Sequence, residues 1–240
     1  MKVVAIIQAR MGSTRLPGKV MMDLAGEPML VRVVNRTRRA AAVNGTIVAT
    51  TTDSSDEVIA ELCDQRGYPC FRGDSDDVLD RYYQAALKYE ADTVLRVTSD
   101  NPLVDPGVID CVVGAFAAAT PDCASNDLPP RTYPLGLGVE VVSMDALRRA
   151  WSEGRDAASR EHVTYYIIEH PALFRLLAVR NTTDCSALRW TVDTFEDLAF
   201  VRKIYDHFGH DRFSWQEALE LVSAHPGWRE LNRNVRQKVV

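Results

Sequence analysis

Val3-Val4-Ala5-Ile6-Ile7 runs without a break into Gln8-Ala9-Arg10-Met11-Gly12-Ser13-Thr14-Arg15-Leu16-Pro17-Gly18-Lys19. Five consecutive apolar residues, four of them β-branched, predict a buried strand. The stretch that follows holds two glycines, a proline, two hydroxyls and the cations Arg10, Arg15 and Lys19. Glycine lets backbone amides approach a ligand closely, and clustered cations neutralise a polyphosphate. A strand opening into such a loop points to a nucleotide site at the C-terminal edge of a sheet.

Two common phosphate loops do not fit. A Walker A loop needs four residues between its glycines and a hydroxyl after the lysine; Gly12 and Gly18 are separated by five, and Val20 follows Lys19. No glycines here have the G-x-G-x-x-G spacing of a dinucleotide fingerprint either. A basic surface loop with a Pro-Gly turn would satisfy the local sequence. Three cations so close to a buried strand end call instead for an anion.

The rest of the chain predicts an α/β protein. Strands read at Gly45–Thr50, Tyr68–Phe71 and Thr93–Thr98. Helices alternate with them, over Glu27–Arg39, from Ser54 onward, and after the Asp74–Asp77 caps. That alternation predicts a parallel, three-layer α/β sheet. The order loosens after a helix at Pro106–Ala119: Cys123–Gly138 is rich in turn residues, and Val139–Val142 reads as a strand. Helices are expected at Met144–Glu153 and Arg160–Glu169, and strands at Leu173–Val179 and Leu188–Val192. Phe195–Phe208 and Trp215–Ala224 close the chain as helices. With 240 residues, 46% of them hydrophobic, the chain is expected to form one domain, residues 1–240, whose middle portion at about 123–180 projects.

A net charge of −5 argues against a general nucleic-acid or anionic-membrane partner. No apolar run reaches the roughly 18–20 residues of a membrane span, and Met1-Lys2-Val3 enters the first strand without a signal-peptide layout, so a cytoplasmic protein is expected. Cys63, Cys70, Cys111, Cys123 and Cys185 form no C-x-x-C pair and are expected as buried free thiols.

Gln8 to Lys19 resembles the signature loop of the cytidylyltransferases that activate acidic sugars. These are the CMP-KDO synthetases and acylneuraminate cytidylyltransferases, together with the spore coat polysaccharide biosynthesis protein F branch. That loop reads roughly Pro/Gln-Ala-Arg-x-x-Ser-x-Arg-Leu-Pro-x-Lys, and every fixed position is met. The resemblance implies a nucleotide-diphospho-sugar transferase-like α/β/α fold with a mostly parallel central sheet. It also implies that Gln8, Ala9, Arg10, Gly12, Ser13, Arg15 and Lys19 wrap the triphosphate of CTP. A homodimer, with the irregular middle at its contact, is expected on the same ground.

Asp100 and Asp193 each follow a predicted strand, in Thr98-Ser99-Asp100-Asn101-Pro102 and Arg189-Trp190-Thr191-Val192-Asp193. Either aspartate could serve as a turn or helix cap, Asp193 for the Phe195–Phe208 helix. Both segments resemble the family's metal-binding positions, one carboxylate from each. Mg2+ takes a few carboxylates plus phosphate oxygens and water, which these two would supply. The segment Phe71–Tyr83 resembles the region that reaches the cytosine and nearby phosphates, with Arg72 and Arg81 as candidates. Arg81 would equally serve as a surface cation paired with Asp77, four residues earlier. For the acceptor, a sugar acid needs a cation and polar partners; Arg131 or Arg160 with Glu140, Glu161 and His162 are the candidates.

Two rivals remain. A metal-dependent glycosyltransferase would carry D-x-D where this chain has Thr98-Ser99-Asp100, and its donor has only two phosphates for three cations. A nucleotide-binding module without turnover could dispense with either aspartate. The expectation is therefore a Mg2+-dependent nucleotidylyltransferase that moves CMP from CTP to an acidic sugar in surface polysaccharide biosynthesis, with Arg15, Lys19, Asp100 and Asp193 catalytic.

Overall fold

The computed structural model describes residues 1–237. Among the described residues the strands are β1 (Val3–Gln8), β2 (Asp23–Leu24), β3 (Glu27–Pro28), β4 (Gly45–Thr51), β5 (Cys70–Gly73), β6 (Thr93–Thr98), β7 (Cys123–Ser125), β8 (Glu140–Ser143) and β9 (Leu176–Ala178). The helices are α1 (Met29–Arg38), α2 (Glu57–Arg66), α3 (Val78–Lys88), α4 (Pro106–Ala119), α5 (Met144–Glu153), α6 (Ala157–Glu161), α7 (Tyr165–Glu169), α8 (Phe195–Phe208) and α9 (Trp215–Ala224). Seven strands make one sheet in the order β5-β4-β1-β6-β8-β7-β9, while β2 and β3 form a small hairpin.

β1 lies inside the sheet, parallel to β4 on one side and β6 on the other. Its residues alternate between two cores, as the period-2 geometry of a strand requires. Val3, Ala5 and Ile7 pack with α1, α2, α4, α8 and α9 residues such as Leu30, Ile59, Ile109, Ile204 and Val222. Val4 and Ile6 face the other way, against Tyr82 of α3, Leu147 of α5 and Ile167 of α7. The expected three-layer α/β arrangement is therefore present. From β1 the chain steps outward to β4 and β5, then crosses back to β6. That reversal of direction leaves a crevice at the C-terminal ends of β1 and β6, the place where open α/β sheets bind ligands.

The second half departs from the sequence expectations at definite places. Cys123–Ser125, inside the turn-rich stretch, forms β7, antiparallel to β8 and parallel to β9. The segment expected as a helix over Arg160–Glu169 is broken into α6 and α7. β-Branched Val163 and Thr164 are buried at the break, and the Thr164 hydroxyl donates to Glu140 Oε2 at 2.7 Å. Leu188–Val192 is not a strand; Trp190 and Thr191 both donate to the Leu135 carbonyl, leaving a single bridge from Leu135 to Arg189. The chain passes close beneath Gly136, whose φ is +111° and where a Cβ would sit 2.4 Å from the Thr191 nitrogen. Cys63, Cys123 and Cys185 are buried thiols as expected, but Cys70 is half-buried and Cys111 is exposed, on the outer face of α4. Among the described residues no helix is long and apolar enough to cross a membrane.

Candidate active site

The loop after β1 is folded upon itself. Ser13 and Gly18 nitrogens both donate to the Met11 carbonyl at 2.9 Å, and Leu16 donates to Ser13 Oγ at 3.3 Å. Asp56 at the head of α2 accepts from the Met11 nitrogen at 2.6 Å. Leu16 and Val20 are buried and act as apolar anchors. Gly18 adopts φ +70°, a left-handed conformation that costs glycine little, and this turns the chain so that Lys19 starts a short 3-10 turn. The result is a cavity of about 280 Å³ at the crevice between β1 and β6. Gln8, Ala9, Arg10, Gly12, Ser13, Arg15, Lys19, Arg81, Asp100, Glu161, His162 and Asp193 all line it.

Its charged centre joins three parts of the chain. Lys19 Nζ donates to Asp100 Oδ2 at 3.0 Å, to Asp193 Oδ1 at 3.0 Å and to the Val192 carbonyl at 2.8 Å. Arg15 reaches Asp193 Oδ2 at 3.0 Å, and Arg189 reaches the same oxygen at 2.8 Å. The Thr98 hydroxyl donates to Asp100 Oδ1 at 2.6 Å. Backbone bonds bring the two aspartates together, because the Val192 nitrogen donates to the Asp100 carbonyl at 2.8 Å. Burial alone would lower the Lys19 pKa, yet the adjacent carboxylates outweigh it and raise it. Burial likewise pushes Asp193 up, but Lys19, Arg15 and Arg189 together hold it below its ordinary value.

Asp193 does not cap α8. That role belongs to Thr194, which accepts from the Asp197 nitrogen while Asp197 bonds back to Thr194, a capping box. Asp193 is thereby left free of a capping duty and points into the cleft. The two carboxylate oxygens that converge on one ammonium, one just past the end of β6 and one just before α8, are a donor set that suits Mg2+. Among the described residues no cluster of three or more His, Cys, Asp or Glu stands ready for a metal, so such a cation would complete its shell with phosphate oxygens and water.

Arg81 is not a surface cation. It is 1% exposed, donates from Nη1 to the Asp74 carbonyl at 2.7 Å, and has no partner for Nε. Burial lowers its pKa, and nearby Arg10 adds to that. Asp77 instead accepts from Arg160 Nε at 2.8 Å, and Arg160 also donates to the Trp151 carbonyl at 2.9 Å. Arg72 lies outside the cavity, donating to the Thr51 carbonyl at 2.9 Å and pairing with Glu57. Of the residues expected to meet an acceptor, Glu161 and His162 line the cavity, and burial lowers the His162 pKa. Glu140 lies behind them, paired with Arg96 at 3.0 Å. Arg131 is elsewhere: it donates to the Tyr133 and Ser186 carbonyls and lines a second cavity, of about 410 Å³, with Trp190 and Phe200.

Three further side chains belong to the charged centre: Thr98, Arg189 and Asp197. The spacing Arg189, Asp193, Asp197 puts residues at i, i+4 and i+8, and that pattern was available in the sequence. Asn232, which donates to Asp197 Oδ1 at 3.0 Å from the C-terminal segment, left no local signal.

The family model described as cytidylyltransferase matches residues 4–231. The spore coat polysaccharide biosynthesis protein SpsF of Bacillus subtilis is 33% identical over 93% of this chain and 95% of its own length. A 3-deoxy-manno-octulosonate cytidylyltransferase of Trichlorobacter lovleyi is 41% identical over 48% of this chain and 45% of its own. Among solved structures, a cytidylyltransferase of Leptospira borgpetersenii superposes with a TM-score of 0.91 at 30% identity, covering 100% of this chain and 99% of that one.

Proposed function

This chain belongs to the cytidylyltransferase family, and from that premise we propose that it transfers CMP from CTP to an acidic sugar, with release of pyrophosphate, for a surface polysaccharide. The observation that carries the reading is the meeting of Lys19, Asp100 and Asp193 beside a loop bearing Arg10 and Arg15. The named substrates of the Trichlorobacter relative and the named pathway of the Bacillus relative support the acceptor class and the biosynthetic setting.

In this reading the acceptor hydroxyl attacks the α-phosphorus of CTP, its proton passes to water, and the bond from that phosphorus to the oxygen bridging to the β-phosphate breaks, so that pyrophosphate leaves. Arg10, Ser13, Arg15 and Lys19 bind the triphosphate, and the cations stabilise charge gathering on the leaving pyrophosphate. For this, Lys19 and Arg15 exchange carboxylate partners for phosphate oxygens. Asp100 and Asp193, relieved of Lys19, would hold Mg2+, which would supply Lewis acidity to the phosphoryl transfer. Gln8, Ala9, Gly12 and buried Arg81 line the nucleotide end, with Arg72 set further out. Glu161 and His162 orient the acceptor, with Glu140 and Arg160 supporting that end from behind and Arg131 flanking the neighbouring cavity. Alignment and electrostatics do most of the work, so no dedicated side-chain base is required. We read the working form as a cytoplasmic homodimer joined through the irregular middle, to be checked by light scattering of the eluting protein.

The test is pyrophosphate release with CTP, UTP, GTP, ATP or dTTP against a panel of acidic and neutral sugars, with and without Mg2+. The expected result is turnover with CTP, Mg2+ and an acidic sugar. Turnover confined to neutral acceptors would remove the acceptor assignment, and equal use of all nucleotides would remove the cytidylyl reading.

A further inference from the structure

Three cations meet the Asp193 carboxylate, and they are not equivalent. Lys19 and Arg15 line the cleft, and Arg15 is 27% exposed. Arg189 does not line the cleft; it opens instead on the second cavity and is 11% exposed. All three of its side-chain nitrogens are engaged. Nε donates to Asp197 Oδ1 at 2.8 Å, and Nη2 to Asp197 Oδ2 at 2.9 Å and Asp193 Oδ2 at 2.8 Å. Nη1 donates to Gln237 Oε1 at 2.7 Å. A guanidinium so committed is badly suited to take up a phosphate, in contrast to Arg15 and Lys19.

Asp197 in turn is fully buried and fixed from several sides. It completes the capping box of α8, accepts from the Asp193 nitrogen at 3.0 Å and accepts from Asn232. The main chain and the side chain of Asp193 are therefore both referenced to this one carboxylate, the first directly and the second through Arg189. We propose that Arg189, braced by Asp197, is the positioning residue that keeps the Asp193 carboxylate aimed at Asp100 after Lys19 and Arg15 have moved to the triphosphate. This rests on the reading of Asp193 as a ligand of the catalytic cation. The geometry needs a planar fork, since one group must span both oxygens of Asp197 and one of Asp193; an ammonium offers no such fork.

The test measures Mn2+ binding by water-proton relaxation, in the presence of a CTP analogue with a methylene between its α and β phosphorus atoms, alongside steady-state kinetics. Outer partners of metal ligands typically contribute about 10- to 100-fold in metal affinity or activity, and a loss of that order is expected in Arg189→Lys and Asp197→Asn. The KM for CTP should change little, kcat should fall with the Mn2+ affinity, and Arg189→Lys should recover part of what Arg189→Ala loses. If Arg189→Ala does not fold, Arg189→Lys and Asp197→Asn decide. Wild-type Mn2+ affinity and kcat in these variants, with only a lower melting temperature, would overturn the inference in favour of a plain brace. A raised KM for CTP at unchanged kcat would overturn it in favour of a substrate contact. Asp193→Asn separates the two levels. If it keeps wild-type Mn2+ affinity, the metal reading itself falls; if it loses Mn2+ while Arg189→Lys does not, only the role of Arg189 falls.

Discussion

At the scale of single residues, the centre of the site is a set of charges that neutralise one another before any substrate arrives. Lys19 sits 3.0 Å from one oxygen of Asp100 and 3.0 Å from one of Asp193. An ammonium shared by the two carboxylates holds both of them in place. In the proposed mechanism, nucleotide binding is then an exchange of partners rather than the filling of an idle basic pocket. Under the proposed mechanism, Arg15→Ala and Lys19→Ala should each lower kcat/KM by about 100- to 1000-fold, the effect of removing one transition-state donor worth ~3–4 kcal/mol. Steady-state assays with CTP check this, and near-normal turnover in Arg15→Ala would contradict the loop assignment. Lys19→Ala carries a second signature, since two facing carboxylates would then lack their shared cation.

At the scale of elements, what matters is how a segment without regular structure is held in register. Residues 188–192 carry Asp193 into the cleft, yet they form no strand, only a bridge to Leu135. Their course depends on Gly136. A Cβ there would come within 2.4 Å of the Thr191 nitrogen and 2.5 Å of the Trp190 carbonyl carbon, and the φ of +111° is strained for any other residue. Gly136→Ala should therefore cost about 1–3 kcal/mol from backbone conformation alone, with the clash in addition. It should also depress kcat by shifting Asp193 against Asp100. Urea unfolding and kinetics on the same variant measure both effects; a stable, fully active Gly136→Ala protein would remove this account. The neighbouring start of α8 is made independently secure by Thr194 and Asp197, so strain at Gly136 is expected to reach Asp193 before it reaches the helix.

At the scale of the whole molecule, the fold joins its two halves through charge as well as through the sheet. The loop at residues 10–19, the end of β6 and the segment before α8 are held together by the Lys19, Asp100 and Asp193 contacts. The pKa shifts of Lys19 and Asp193 make that joint depend on pH. Asp193 titrates below its unfolded value, so its contribution is complete above roughly pH 4 and is lost as pH falls through the lower folded value. Lys19 titrates above its unfolded value, so its contribution is complete below roughly pH 10 and is lost as pH rises through the higher folded value. The difference in melting temperature between the wild type and Asp193→Asn, without ligands, should accordingly be steady near neutrality and shrink below about pH 4. A difference that grows on acidification would show that Asp193 is not held ionised by its partners.

Much of this was legible in local sequence. β-Branched runs announced β1, β4 and β6; the Asp74–Asp77 caps marked α3; and the Gln8–Lys19 stretch announced a cation-bearing loop at the end of β1. Those signals are short-range, because propensity, capping and period-2 or 3.6 patterning act within a few residues. The break at Val163-Thr164, the hidden strand Cys123–Ser125 and the unpaired course of Leu188–Val192 depend instead on distant partners: Glu140, Val142 and Leu135. The same division runs through the site. The sequence by itself determined which residues carry charge near the strand ends. Only the tertiary structure decided that Arg81 is buried, that Arg131 belongs to another cavity and that Thr194 rather than Asp193 caps α8. It alone decided that Lys19 bridges two aspartates 81 and 174 residues away, because a charge's partner is set by where folding brings the chain and by nothing in its neighbouring residues.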